Sequence, residues 1–390
     1  MTIPRLLEKE IKVAARKYPI VAVLGPRQSG KTTLAKLAFP KKPYVSLEDL
    51  DTRKFAQEDP RRFLKEYPQG AILDEVQRVP ELFSYLQTHS DEKQEEGLFI
   101  LTGSQNFELL ENISQSLAGR VSLHTLLPLS FEEIQKIPTH KNKTLDEYLF
   151  MGGYPRIFDK ALSPTEWLSD YVQTYLERDV RLIKNIGDLS TFHRFLKMCA
   201  ARNGQLVNFS SLADDCGIKH NTAKAWLSVL EASYLIFFLP PHLKNFNKRI
   251  KKSPKLFFYD TGLLCYLLEL SEAAELATHS HRGNIFEAWV LGEILKNKFN
   301  RKMYFNLSFW QNKTGLEVDA IISRGKKSLA LEIKAGQTLS PDYFKNLTLW
   351  QEVSKTSSKD CYLIYAGDES QNREFAQVIP WQQLSKIPLP

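Results

Sequence analysis

The segment that most constrains the fold is a glycine-bounded loop between an apolar run and a helical pattern. The run Ile20–Leu24 is typical of a buried parallel strand, and Lys31–Ala38 predicts a helix. Between them, residues 25–32 (GPRQSGKT) match G-x-x-x-x-G-K-[ST] in full. The two glycines permit a tight turn that aims backbone N–H groups at a phosphate, beside a helix N-terminus. The segment therefore predicts an α/β fold with a phosphate-binding loop.

This loop is predicted to bind ATP and Mg²⁺. Lys31 is expected to reach the β- and γ-phosphates, and the Thr32 hydroxyl to bind Mg²⁺. Another apolar strand candidate is followed by Asp74 and Glu75. We assign Asp74 to Mg²⁺ binding and Glu75 to polarising the attacking water. The predicted nucleotide contacts are Gly25, Pro26, Arg27, Gln28, Ser29, Gly30, Lys31, Thr32 and Thr33.

Strand and helix patterns alternate up to about Leu129, which predicts a parallel sheet. The five strand candidates are Ile20–Leu24, Tyr44–Leu47, Ala71–Leu73, Leu98–Thr102 and Val121–Leu126. The fourth strand leads into polar residues, of which Thr102 or Ser104 is placed to sense a γ-phosphate. From Phe131 to about Leu189 the pattern is helical and predicts a lid over the sheet.

Several short motifs together resemble one known family. GPRQSGKTTL, LDEVQ, LTGSQ, LAGR, LPLSFEE and GGYPR are similar to the AAA-type ATPases of bacteria and archaea that carry a C-terminal domain of unknown function. The resemblance implies an AAA+ or related signal-transduction ATPase core in which Pro155 packs on adenine. Arg120, in LAGR, lies where ring-forming ATPases place an arginine directed at a neighbour's nucleotide, which implies a homo-oligomer. A local ion pair is the alternative role for Arg120.

The middle of the chain predicts a winged helix. SSLADDCGIKHNTAKAWLSVLEASYLI has a helix, a turn at Gly217 and a second helix, followed by two strand candidates. The loop between those strands is basic, and Lys248, Arg249, Lys251 and Lys252 are predicted to contact DNA phosphates. The alternative is a module that packs on the lid while the lysines form a solvated loop.

The C-terminal part carries a spaced set of carboxylates. Asp319 ends a strand candidate, and Glu332 and Lys334 lie two residues apart on one face of the next. With Glu287 in a preceding helix, this order resembles the restriction-endonuclease-like, PD-(D/E)xK, family. The resemblance implies metal binding by Glu287, Asp319 and Glu332 and catalysis by Glu332 and Lys334. A nuclease-like domain that binds DNA or a protein without cutting is the alternative.

Composition permits these interpretations without selecting among them. The net charge of +7 allows a polyanionic partner, and four dispersed cysteines favour the reducing cytoplasm. The charged N-terminus predicts no signal peptide, and no apolar run is long enough to span a membrane. We therefore expect an ATPase core (1–130), a helical lid (131–189), a winged helix (190–265) and a nuclease-like α/β domain (270–390).

Two functions remain open at this level. The leading prediction is a Mg²⁺-dependent ATPase that acts on DNA in repair, recombination or defence, with nuclease activity undecided. The alternative is a nucleotide-dependent switch that binds a protein partner and has an inactive nuclease-like domain.

Overall fold

A computed structural model describes residues 3–104, 115–176, 189–242, 253–312 and 314–390. Five parallel strands form the first sheet, in the order β2-β3-β4-β1-β5. All five lie where the sequence predicts a strand. They are β1 Ile20–Gly25, β2 Tyr44–Ser46, β3 Ile72–Asp74, β4 Phe99–Ser104 and β5 Val121–Thr125.

Strand β1 is buried along its whole length because helices cover both faces of the sheet. Ile20, Ala22 and Leu24 belong to one hydrophobic core, and Val21 and Val23 to the core on the opposite face. This alternation follows from the two-residue period of a strand. The helices of this part are α1 Leu7–Ala14, α2 Lys31–Ala38, α3 Leu50–Glu58, α4 Pro60–Lys65 and α5 Leu82–Lys93.

Residues 51–67 have a helical pattern in which Pro60 predicts a break, and the structure confirms that break. Helix α3 ends at Glu58, and Pro60 is the first residue of α4, where its missing N–H costs nothing. Asp59 caps α4 by accepting a hydrogen bond from Arg62 N at 3.0 Å.

A helical region follows the first sheet, as predicted. Its first part contains α6 Phe131–Ile134, α7 Leu145–Met151, α8 Pro155–Lys160, α9 Pro164–Tyr171 and a π-helical stretch, Val172–Leu176. Next come α10 Leu189–Ala201, α11 Phe209–Cys216 and α12 His220–Ala232. Gly217 takes a left-handed conformation (φ 67°) at the turn between α11 and α12, where the sequence predicts a turn. Strands β6 Ile236–Leu239 and β7 Lys255–Phe258 then pair antiparallel.

The C-terminal part is a six-stranded mixed sheet in the order β12-β13-β11-β10-β9-β8. Its strands are β8 Asn306–Gln311, β9 Glu317–Arg324, β10 Lys327–Lys334, β11 Cys361–Tyr365, β12 Gln371–Asn372 and β13 Gln377–Pro380. Helix α13 Thr261–Leu267 precedes this part, and α14 Arg282–Asn300 and α15 Lys345–Ser354 pack against it.

One strand prediction in this sheet is wrong. The sequence pattern predicts two strands here, KMYFNL at residues 302–307 and FWQN at residues 309–312, but residues 306–311 form the single strand β8. Its pairing with β9 shifts between Ser308 and Trp310, which is the signature of a bulge. A bulge interrupts the alternation of the sequence without ending the strand, and this explains the error.

The largest hydrophobic core is shared by distant parts of the chain. It contains buried residues from Leu127 to Ile387 and joins the helical region, the β6–β7 hairpin and the C-terminal sheet. None of the described helices has the length and apolar character needed to cross a membrane.

Candidate functional site

Two glycines shape the phosphate loop at the end of β1. Gly25 has φ 152° and Gly30 has φ 92°. A Cβ atom on Gly25 would lie 2.2 Å from the Leu126 carbonyl oxygen, so no other residue fits there. The loop leads directly into α2, whose first N–H groups have no partner within the helix.

Lys31 lies inside this loop. Its side chain is buried, and Nζ donates hydrogen bonds to the carbonyl oxygens of Gly25 at 3.1 Å and Pro26 at 2.8 Å. The ammonium group is therefore held within the concavity that the loop encloses. Phosphate oxygens can replace these two neutral acceptors with charged ones, which form stronger hydrogen bonds.

Asp74 is surrounded by hydroxyl groups. Thr32 Oγ1 donates to Oδ1 at 2.9 Å, Tyr44 donates to Oδ2 at 2.8 Å, and Thr102 also donates to Oδ1. Burial, and then the hydrogen bond to Asp74, raise the pKa of Tyr44 to about 12. The carboxylate is thus oriented by neutral donors, and its negative charge is not offset by these partners.

Glu75 follows Asp74 in a left-handed backbone conformation (φ 56°), which turns its side chain away from the strand direction. The Gln77 amide donates to one carboxylate oxygen, and Ser104 lies at 3.5 Å from the other. Of the two predicted γ-phosphate sensors, Thr102 therefore contacts Asp74 and Ser104 lies beside Glu75.

Most of the predicted nucleotide-binding residues line one cleft of about 650 Å³, whereas Gly25, Pro26 and Ser29 are not among its lining residues. Pro155, at the start of α8, also lines this cleft and lies beside the phosphate loop, since a Cβ atom on Gly30 would be 3.9 Å from Pro155 Cγ. The residues that the sequence predicts and the cleft contains are Arg27, Gln28, Gly30, Lys31, Thr32, Thr33, Asp74, Glu75, Ser104 and Pro155.

Arg5 also lines this cleft, and the sequence does not predict it. Its guanidinium group donates to Ser29 O at 2.6 Å and to Leu127 O at 2.7 Å, and forms a buried ion pair with Glu133 at 3.0 Å. Arg5 therefore connects the phosphate loop to the start of the helical region. No local sequence pattern marks it, because all of these partners are at least 24 residues away.

Arg120 lies at the opposite end of the sheet from the phosphate loop, just before β5. It forms a bidentate ion pair with Asp91, with Nε–Oδ1 at 2.5 Å and Nη2–Oδ2 at 2.8 Å. Its side chain is 32% exposed. In this arrangement Arg120 makes the local pair that the sequence leaves as an alternative, and it does not line the cleft of its own chain.

A second acidic site lies in the C-terminal part, and it brings together the four residues predicted there. Asp319 on β9 accepts a hydrogen bond from Ile333 N on β10 at 2.7 Å. The neighbouring Glu332 pairs with Lys334 Nζ at 2.6 Å, and Asn346 donates to it at 2.9 Å. Glu287 lies close enough to interact electrostatically with Asp319 and with Lys334.

Two further residues belong to this site and were not predicted. Glu287, Glu317 and Asp319 each offer an oxygen atom within 4.8 Å of the others, a spacing that suits a cation. Lys255, on β7, forms ion pairs with Glu317 and, at 3.5 Å, with Glu287. We call Glu287, Glu317, Asp319 and Glu332 the carboxylate cluster.

Burial and mutual repulsion shift the pKa values of this cluster. Burial, followed by the like charge of Asp319, raises the pKa of Glu287 and that of Glu332 to about 8. Although burial opposes it, the charges of Glu287, Glu317 and Asp319 raise the pKa of Lys255. Among the described residues, no donor forms a hydrogen bond with Glu332 Oε2.

Helix α14 joins the carboxylate cluster to the helical region beside the nucleotide cleft. It carries Glu287 and, further along, Glu293 and Lys296, which form a buried ion pair at 2.8 Å. Glu293 accepts from Phe131 N at 2.8 Å, and Lys296 donates to Leu129 O at 3.0 Å. Leu129 itself lines the nucleotide cleft.

The predicted DNA contacts Lys248, Arg249, Lys251 and Lys252 lie outside the described residues. The two strands that flank them, β6 and β7, are described above.

Comparison with known families divides the chain into three consecutive matches. An AAA domain matches residues 17–135, and two domains of unknown function, DUF8612 and DUF4143, match residues 142–274 and 282–384. Uncharacterized proteins of Mycobacterium bovis and Mycobacterium tuberculosis are each 29% identical over 335 residues, which are 85% of this chain and 73% of theirs. A Walker-type ATPase of Pyrococcus abyssi is similar with a TM-score of 0.45 and 15% identity, covering 67% of this chain and 94% of that chain.

The family match coincides with the geometry of the first site. The matched segment contains the parallel sheet, the phosphate loop and both strand-end carboxylates. Residues 17–135 therefore match an AAA domain both in sequence and in the P-loop geometry of the first site.

Proposed function

We propose that this protein is a Mg²⁺-dependent ATPase that acts on DNA, and that its C-terminal part is a restriction-endonuclease-like domain with a metal-dependent site. The observation that carries the DNA-directed part is the convergence of Glu287, Asp319, Glu332 and Lys334, taken from one helix and two paired strands. These four residues follow the order of a nuclease motif in the sequence and also lie together in the fold. A chance match to the motif would not bring them together.

The nucleotide cleft supports the ATPase part of this proposal. The loop amides and Lys31 would bind the β- and γ-phosphates, and Thr32 and Asp74 would hold Mg²⁺. Mg²⁺ supplies positive charge against the phosphate oxygens. Among the described residues, the hydrogen-bond donors to Asp74 are neutral hydroxyl groups that do not offset a carboxylate charge, so the residues present fit this ion. Glu75 would orient a water molecule and accept its proton.

The middle module supports DNA contact through its topology. Helices α11 and α12 with the β6–β7 hairpin have the order of a winged helix, which we propose for residues 190–265. We assign DNA phosphate contacts to Lys248, Arg249, Lys251 and Lys252. Removal of Lys251 and Lys252 should reduce the slope of log affinity against log salt concentration by about 2.

The decisive experiment measures ATP hydrolysis with and without single-stranded, duplex and four-way-junction DNA. The same samples are followed for strand cleavage with Mg²⁺ or Mn²⁺, beside Lys31→Ala and the double variant Glu332→Ala, Lys334→Ala. We expect DNA-stimulated hydrolysis that Lys31→Ala abolishes, and cleavage that the double variant loses. Basal hydrolysis that responds to no DNA would reject the DNA-directed function.

One observation favours a second function. Lys255 and Lys334 both pair with the carboxylate cluster, so the chain already offsets part of its charge without a metal ion. This favours a nucleotide-dependent switch whose nuclease-like domain is inactive and binds a protein partner. Intact hydrolysis combined with an absence of DNA binding at low salt would support that function over the first.

We also propose that the ATPase works as a homo-oligomer in which Arg120 reaches a neighbour's nucleotide. Its distance from its own cleft is compatible with this role. Mixing Lys31→Ala with Arg120→Ala protein tests it, because a mixed assembly contains some sites with both an intact loop and an intact neighbouring arginine. Recovery of hydrolysis on mixing is expected, and no recovery would leave Arg120 with its local pair to Asp91.

A further inference from the structure

The ammonium group of Lys255 lies within the carboxylate cluster. It pairs with Glu317 and, at 3.5 Å, with Glu287, and its side chain is only 7% exposed. Its backbone is fixed on both sides, since Lys255 pairs with Leu239 in the hairpin and forms a bridge with Leu206. The pairing of β7 therefore fixes the backbone that carries the Lys255 ammonium group, and the side chain itself is buried.

The two lysines at the cluster have different partners. Lys334 pairs with Glu332 on its own strand, whereas Lys255 comes from another part of the chain and pairs with Glu287 and Glu317. The three oxygens that best suit a divalent cation belong to Glu287, Glu317 and Asp319. Lys255 thus lies against two of the three groups that would hold the ion.

The cluster also contains a buried acceptor for which the described part of the chain supplies no donor. The Glu332 side chain is 1% exposed, and no donor among the described residues reaches its Oε2 atom. In the β9–β10 register Leu331 faces Ala320, so the next pair inward brings Glu332 opposite Asp319. A buried oxygen without a donor beside a second carboxylate is expected to be costly unless a cation approaches it.

We propose that Lys255 is a built-in competitor of a divalent cation at Glu287 and Glu317, so that metal binding to the cluster requires displacement of its ammonium group. Glu317 is then a metal ligand together with Glu287 and Asp319. The inference rests on the metal site of the proposed function and adds its regulation. A hairpin lysine that leaves the cluster when metal binds would couple the β6–β7 hairpin to the state of that site.

Electrostatics gives the direction of the effect. A lysine ammonium and a divalent cation at the same two carboxylates repel each other strongly in a poorly solvated site. Removal of the lysine charge should therefore tighten metal binding by roughly tenfold or more. Replacement by arginine keeps the charge and should keep the weak binding.

The test is calorimetric titration of Mn²⁺ into the nucleotide-free full chain. The set comprises wild type, Lys255→Met, Lys255→Arg and Asp319→Asn, with Lys345→Met as the control because that lysine is exposed and pairs with Asp342. We expect Lys255→Met to bind Mn²⁺ at least about tenfold more tightly than wild type. Lys255→Arg and Lys345→Met should resemble wild type, and Asp319→Asn should lose the site.

Two results would overturn the inference, and they differ in what else they affect. Equal or weaker binding by Lys255→Met, with loss in Asp319→Asn, removes the competition but leaves the metal site in place. Absence of an Asp319-dependent site in every protein removes the metal site itself. Neither result bears on ATP hydrolysis or DNA binding, which are measured separately.

A second measurement avoids dependence on the folding of Lys255→Met. Deuterium exchange of the wild-type chain is followed in the β6–β7 hairpin before and after Mn²⁺ addition, with Asp319→Asn as the control. Competition predicts faster exchange in the hairpin with Mn²⁺, because β7 loses its ion pairs, and no change in the control. Unchanged or slower exchange in wild type would contradict it.

Discussion

The two acidic sites of this molecule orient their carboxylates by different means. In the nucleotide cleft, hydroxyl groups of Thr32, Tyr44 and Thr102 hold Asp74. In the carboxylate cluster, the ammonium groups of Lys255 and Lys334 are partners in addition to the neutral donors Ile333 N and Asn346. Neutral donors fix a carboxylate and leave its charge for a cation, whereas ammonium groups fix it and offset that charge. The first site thus keeps its carboxylate charge available for the proposed Mg²⁺, and the charge of the second is already partly offset.

The largest expected effect concerns the ammonium group of Lys31 in the first site. Lys31→Ala removes the ammonium group enclosed by the loop and should reduce kcat for ATP hydrolysis by about 10²–10³-fold. Lys54→Ala, on the exposed surface of α3, is the matched control and should leave kcat unchanged. Steady-state phosphate release measures both, and an active Lys31→Ala protein would contradict the assignment of the cleft.

The second site should make stability depend on pH. The pKa values of Glu287 and Glu332 are raised to about 8, so the folded chain binds more protons than the unfolded chain between about pH 4.5 and 8. The free energy of unfolding should fall by several kcal/mol as pH rises through this window. Urea denaturation from pH 5 to 9 measures it. Glu332→Gln should flatten the profile, and an equally steep profile in that variant would assign the effect elsewhere.

Removal of one lysine should sharpen the contrast between the sites. Lys334→Met leaves the buried Glu332 without its ion pair and should lower the free energy of unfolding by about 2 kcal/mol at pH 8. Adding Glu332→Gln should restore part of that loss, because the uncompensated charge is then removed. Denaturation of the single and double variants tests this, and additive losses would argue against the pair.

The smallest expected effect concerns the hydroxyl groups around Asp74. Tyr44→Phe removes one neutral donor and should raise the Mg²⁺ concentration for half-maximal ATP hydrolysis by about tenfold, with a smaller change in kcat. Tyr304→Phe, at a hydroxyl that is largely exposed, serves as the control. A fall in kcat without a change in Mg²⁺ dependence would mean that Tyr44 does not act through Asp74.

Local sequence predicts the first site better than the second, for a physical reason. The phosphate loop is eight consecutive residues whose conformation is determined by Gly25 and Gly30, so the motif and its geometry coincide. The hydroxyl of Tyr44 and the guanidinium group of Arg5 reach this site from other elements, and no spacing rule marks them.

The second site was predicted in part. Glu317 lies two residues before Asp319 on β9, so the strand period places both on one face and could have identified it. Lys255 gives no such signal, because it is 62 residues before Glu317 and meets it only through tertiary packing. Composition and spacing predict which residues carry the chemistry, but the partners that tune them depend on the folded chain.

The shared core from Leu127 to Ile387 limits how this chain can be rearranged by evolution. Its residues come from all three family-matched segments, and only Ile137, Leu276 and Ile387 among its buried residues lie between or after those segments. A recombination event that exchanged only the last segment would strip apolar surface from the others and leave both halves prone to aggregate. The three segments are therefore expected to fold as one unit, to be inherited together and to diverge together.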